Sequence, residues 1–181
     1  MNEHWWDLTK ILIAFSLTTV IGAWLTSVFQ NRNWKHQRKT LNAERYDDQA
    51  TKIFEDISSI LDQRIYRYRQ IIYAFRTGEE SRIDKAFQEY RVVLFGWNDR
   101  INRNYAMVEK FFGEEMRRHL EYKINSDVIF IGTLLERIKK GSPKAIDREE
   151  VWKKIDEINA RVYQFDLKML KIISEKSESS F

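Results

Sequence analysis

The chain has 181 residues and a formal net charge of +4, with 31 Lys and Arg against 27 Asp and Glu, so its charge is too mild and too evenly mixed to call for nucleic acid. It has no cysteine and three histidines, which excludes a disulfide framework and thiolate metal sites. One proline and six glycines leave few breaks for long helices.

The first element is an uncharged run over residues 11–29 (ILIAFSLTTVIGAWLTSVF). At a rise of about 1.5 Å per residue it reaches about 28 Å as a helix, close to the roughly 30 Å hydrocarbon core of a bilayer. A secretory signal peptide would carry a basic n-region, a shorter apolar stretch and a small-residue cleavage site. Here Glu3 and Asp7 precede the run with Lys10, and Phe29, Gln30, Asn31 and Arg32 close it. The expectation is a retained anchor, a single transmembrane helix over residues 11–31. Trp5 and Trp6 before it and Trp34 after it fit the two headgroup regions, which indoles favour. Arg32, Lys35, Arg38 and Lys39 follow the span, so the positive-inside rule places residues 1–10 outside and the rest in the cytoplasm.

The anchor has two unlike faces. Ala14, Thr18, Gly22 and Thr26 form a stripe at four-residue spacing, flanked by Thr19, Ala23 and Ser27. Such a stripe lets helix backbones approach in lipid and offers hydroxyls to a neighbour. The competing reading is that these hydroxyls bond their own helix. Association, with another copy or with a partner membrane protein, is the expectation.

About 150 residues remain, enough for one domain with a real core. The first helix, residues 38–77, carries Ala50, Phe54, Ile57, Leu61, Ile65, Tyr68, Ile72 and Phe75 three and four apart and ends at Gly78. The second, 82–112, opens near a capping box at Ser81 and Asp84 and carries Ile83, Phe87, Tyr90, Leu94, Trp97, Ile101, Val108 and Phe111, ending at Gly113. The third, 114–140, carries Met116, Leu120, Ile124, Val128, Ile131, Leu134 and Ile138. The fourth, 146–174, carries Val151, Ile155, Ile158, Val162, Phe165, Met169 and Ile172, a coiled-coil-like seam. Residues 176–181 read as a flexible tail. No run alternates as a strand would. The fold class is all-α: a transmembrane helix followed by an antiparallel up-down-up-down four-helix bundle over residues 32–175.

Chemistry is sparse. His4, His36 and His119 lie apart, no H-E-x-x-H or paired E-x-x-H occurs, and no phosphate loop or nucleophile elbow is present, so no catalytic residue, metal or cofactor is assigned. Matching depth along the four helices brings Arg64, Asn98, Asp99, Asp127 and Asn159 to one layer. A buried charge needs a partner, so Arg64 is expected to pair with Asp127 with amide support. Fixing helix register is the structural reading; a small polar pocket is the functional one. Arginines interleaved with tyrosines from Arg64 to Arg69 resemble a phosphate-binding pattern, but helical spacing scatters them, and a salt-bridged surface is the better account. Arg100, Arg103, Arg117 and Arg118, together with Lys168 and Lys171, fall in the same half as Arg32, Lys35, Arg38 and Lys39, where anionic lipid headgroups or phosphates are the expected contacts.

The stretch from Trp34-Lys-His-Gln through Phe54-Glu-Asp-Ile-Ser-Ser-Ile-Leu-Asp-Gln-Arg-Ile-Tyr-Arg-Tyr-Arg, about a quarter of the chain, resembles a widespread group of small bacterial single-pass membrane proteins with a cytoplasmic helical domain. The resemblance implies a bacterial origin and no activity; with the apolar run and its flanking charges, the expected location is the bacterial inner membrane. Two functions compete: a non-enzymatic, membrane-anchored interaction or scaffold protein, or a signalling or phage-defence effector whose bundle senses a phosphorylated ligand or phage component. An arginine-lined pocket favours the second; an exposed apolar patch favours the first.

Overall fold

The computed structural model describes the backbone of residues 3–141 and 148–179; part of the side chains before residue 40, and that of Arg148, lie outside the description. Among the described residues it is all helical, as expected, with six α-helices: α1 (Glu3–Thr77), α2 (Glu80–Asn98), α3 (Ile101–Phe112), α4 (Glu114–Arg118), α5 (Asn125–Lys139) and α6 (Arg148–Ser179). A π-helical segment, His119–Ile124, joins α4 to α5. The chain divides into two units, Met1–Tyr46 and Asp47–Phe181.

The first unit is the N-terminal part of α1. Among the described residues no helix is long and apolar enough to cross a membrane. The expected span therefore has no support from the described residues, and the reason lies in which of them are described. Side chains at positions 11–14, 17, 20 and 21, the most apolar part of the run, lie outside the description. What remains is Phe15, Ser16, Thr18, Thr19 and residues 22–30, richer in hydroxyls and glycine.

In the second unit, neighbouring helices run antiparallel. Ser58 donates to Asp166 at 2.6 Å, Arg69 to Asp156 at 3.0 Å and Arg76 to Glu149 at 2.9 Å, so α6 descends as α1 rises. Asp84 on α2 meets Lys139 on α5, and Arg91 meets Glu136, with the same opposed sense. Arg161 on α6 pairs with Asp127 on α5. The interior between them is apolar: Ile57, Leu61, Ile65, Tyr68 and Ile72 from α1, Phe87 and Trp97 from α2, Val128 and Ile131 from α5, and Val151, Ile155, Phe165 and Met169 from α6 are all buried. Burial of each such side chain is worth roughly 1.5–3 kcal/mol against exposure. Phe54 is only half-buried, and Ile53 takes its place in the α1 row.

Four expected helices become six among the described residues for two reasons. The expected helix over 82–112 breaks at Asp99 and Arg100. Asn98 and Asp99, whose side chains compete for backbone groups, follow the fully buried Trp97, and Arg100 turns its amide to the Trp97 carbonyl at 3.1 Å in a backbone of φ −119°. The expected helix over 114–140 contains the π segment. Its apolar positions Met116, Leu120, Ile124 and Val128 are spaced by four, and each such step overshoots a full α-helical turn by about 40°. A wider turn keeps them on one face, and all four are buried.

Helix ends follow the glycines. Gly78 and Gly113 sit at φ 73° and 92°, where an L side chain is strained by about 1–2 kcal/mol. Gly113 thereby turns α3 into α4 within a single residue. The capping box at Ser81 is not formed: α2 starts at Glu80, its N-cap is Glu79 and no side chain caps it, because the turn at Gly78 lets the helix begin earlier. At the other end α6 runs through Ser179, so residues 176–179 are helical, and Lys176 donates to the Phe111 carbonyl at 2.9 Å. Residues 142–147, including Pro143, and residues 180–181 lie outside the described residues.

Candidate functional site

Arg64 is the centre of the site. It occupies a position in the otherwise apolar α1 row between Leu61 and Tyr68, and it is 1% exposed. Its Nη1 donates to Asn125 Oδ1 at 3.3 Å, and its guanidinium carbon lies 5.6 Å from the centroid of the Trp97 ring. The Tyr68 and Tyr105 hydroxyls both lie near enough to feel its charge. Tyr105 in turn stands edge-on to Trp97, with ring centroids 6.3 Å apart.

The chemistry of this cluster is one-sided. Burial holds the Tyr68 phenol well above its ordinary range despite the pull of Arg64, so it stays neutral. Burial, aided by Glu121, pushes Tyr105 up to about 12. The neighbours of Arg64 are thus an amide, two phenols and an indole, and among the described residues no carboxylate comes within ion-pair distance of it. Two buried donors, Arg64 Nε and Trp97 Nε1, have no acceptor among the described residues.

Arg64 also lines a cleft of about 360 Å³ between α2 and α5, with Tyr90, Leu94, Phe95, Ile129 and Gly132 as its apolar walls. Glu136 and Arg91, at the same cleft, bind each other at 3.3 Å. Tyr90 links wall to core: its hydroxyl lies 3.4 Å from that of Tyr68, which donates to the Val128 carbonyl at 2.7 Å. Position 132 must be glycine for this packing, since a Cβ there would lie 2.6 Å from the Tyr90 hydroxyl.

The expected polar layer is therefore rearranged. Arg64 meets Asn125 and not Asp127, which is half-buried and pairs with Arg161. Asn98 and Asp99 are exposed at the α2–α3 break, and Asn159 is half-buried on α6. Asn125 is the residue the depth-matching misses. It follows the π segment directly and is buried, whereas Asp127, two residues on, is half-buried.

The other basic residues separate into groups. Arg117 pairs with Glu109 at 2.7 Å and with Glu121, and Arg118 with Glu114 at 2.6 Å, so both serve local ion pairs. Arg100 and Arg103 have no ion-pair partner among the described residues. They line a groove of about 270 Å³ between α1 and α3 with Ser59, Gln63, Asn104 and Asp56. Arg38 lies 5.8 Å from the centroid of the Trp34 ring; the side chains of Arg32, Lys35 and Lys39 lie outside the described residues.

On the small-residue stripe, Thr19 donates to the Phe15 carbonyl and Thr26 to the Gly22 carbonyl, each at 2.7 Å, so these hydroxyls are bonded within their own helix. Thr18, Gly22, Ala23 and Ser27 are exposed, and the side chain of Ala14 lies outside the described residues. The described residues contain no group of His, Asp and Glu able to hold a metal. The chain matches no protein-family model, no curated protein and no solved structure.

Proposed function

We propose that the chain is a non-enzymatic, membrane-anchored helical interaction protein at the cytoplasmic face of a bacterial cell membrane, acting with further copies of itself or with a partner protein. One observation carries this reading: a single helix, α1, holds both the uncharged run of residues 11–29 and the apolar row of the helical core. The run has the length of a bilayer's interior, tryptophans at both ends and basic residues after it. The interaction role draws support from α6, where Tyr163, Leu167 and Leu170 share one face at four- and three-residue spacing and are exposed.

The test is fractionation with a topology reporter. The full chain expressed in a bacterium stays in the membrane pellet after an alkaline carbonate wash, and a periplasm-active reporter fused after Phe181 is silent. Release into the wash overturns the anchor; strong reporter activity overturns the orientation. A second reading, a sensor of a phosphorylated ligand, is favoured by Arg100 and Arg103 at the α1–α3 groove, two arginines with no ion-pair partner among the described residues, set beside hydroxyl and amide groups and the Asp56 carboxylate.

A further inference from the structure

A buried cation without a counter-charge costs several kcal/mol in a protein interior. Arg64 is such a cation, and it is surrounded by neutral groups. Its Nε and the nearby Trp97 Nε1 are donors in search of an acceptor, and buried polar groups as a rule have one. The cluster is thus short of one thing, a negatively charged acceptor. The cleft that Arg64 lines has the size of small-molecule sites, and its walls are apolar. Its single carboxylate, Glu136, is already neutralised by Arg91, so the cleft does not repel an anion.

We propose that the α2–α5 cleft binds an organic monoanion with an apolar body, of the kind an aryl- or alkyl-substituted carboxylic acid provides. The carboxylate is drawn to Arg64, and the body lies along Leu94, Phe95 and Ile129. A bare inorganic anion would leave those walls unused, and a neutral molecule would leave Arg64 without its counter-charge. The Tyr90 hydroxyl on the cleft wall lies 3.4 Å from that of Tyr68, which gives its proton to the Val128 carbonyl and holds that wall in place beside the guanidinium. The cleft lies wholly within residues 47–181, so the proposal stands apart from the anchor.

The experiment uses the full chain in nanodiscs of neutral phosphatidylcholine, with empty nanodiscs as the reference for partition. 3-Phenylpropionate is titrated by calorimetry beside 3-phenylpropanol and inorganic phosphate. The acid binds at least about tenfold more tightly than either comparator, the worth of one charge-assisted contact in a buried site. Arg64→Met, which keeps the unbranched stem, loses that preference. Ile129→Trp, at a position 54% exposed and therefore tolerant, fills the cleft and loses binding with Arg64 intact. If Arg64→Met does not fold, Ile129→Trp decides alone. Equal binding of acid and alcohol, phosphate binding as tightly as the acid, no binding of the acid at millimolar concentration, or wild-type affinity in either folded variant overturns the proposal.

Discussion

Arg64 and Asn125 differ in what each leaves behind when removed. Asn125→Leu takes away the acceptor 3.3 Å from the guanidinium, and hydrogen bonds to charged groups are worth about 1.5–3 kcal/mol. Arg64→Met leaves a neutral amide and removes a buried charge that has no counter-charge, so stability stays within about 1 kcal/mol of the wild type or rises. The double variant returns close to the wild-type value, because it removes the buried charge along with its partner. Urea midpoints for the four proteins form the cycle; strictly additive losses would show that the two side chains do not support each other. Gly132 gives a second test. Gly132→Ala puts a methyl against the Tyr90 hydroxyl and costs about 1–3 kcal/mol. Tyr90→Phe on that background restores most of it, since the next ring atom is 3.5 Å away, an ordinary contact. An unrecovered loss in the double variant would place the strain elsewhere. At this scale the sequence disclosed that Arg64 was out of place in an apolar row. Its partners were hidden, because Trp97 and Tyr68 read as ordinary core aromatics and packing sets the helix phase that buries Asn125 and leaves Asp127 half-buried.

Among the elements, the rows at three- and four-residue spacing were plain, and α6 buries the whole series from Val151 to Met169 as its spacing requires. The glycine stops at Gly78 and Gly113 were also legible, since few residues other than glycine take those backbone angles. The α2–α3 break and the π segment were not, because both are settled by packing against neighbours. His119 opens that segment, with its ring 5.7 Å from that of Phe165. Burial, with Lys168 and Lys123 on the facing and same elements, lowers its pKa, against a smaller opposing pull from Glu115 and a further push from Arg161. The folded protein therefore holds this proton less tightly than the unfolded chain. The stability tied to His119 is full above the ordinary imidazole value of about 6.5 and declines as pH falls from there through the lowered folded value. His119→Gln removes that decline. Urea midpoints measured from pH 7.5 down to 5 check it, and parallel curves for the two proteins would dismiss the histidine as the source.

For the molecule as a whole, composition and periodicity were enough for an all-helical chain, since helices whose apolar faces meet need no long-range register to be recognised. The pairing order in the second unit has a consequence for how the chain is made. α1 meets α2 through Phe75 and Phe87, and α2 meets α3 through Trp97 and Tyr105, each across a short corner, so these contacts form within microseconds to milliseconds once both partners are present. The face of α1 marked by Ser58, Arg69 and Arg76 has its partner in α6, 73 to 108 residues later. Synthesis at about 5–20 residues per second leaves a few seconds between the completion of α5 and the completion of α6. During that interval the nascent chain shows an uncovered apolar seam, and the last helix to leave the ribosome is the one that closes it.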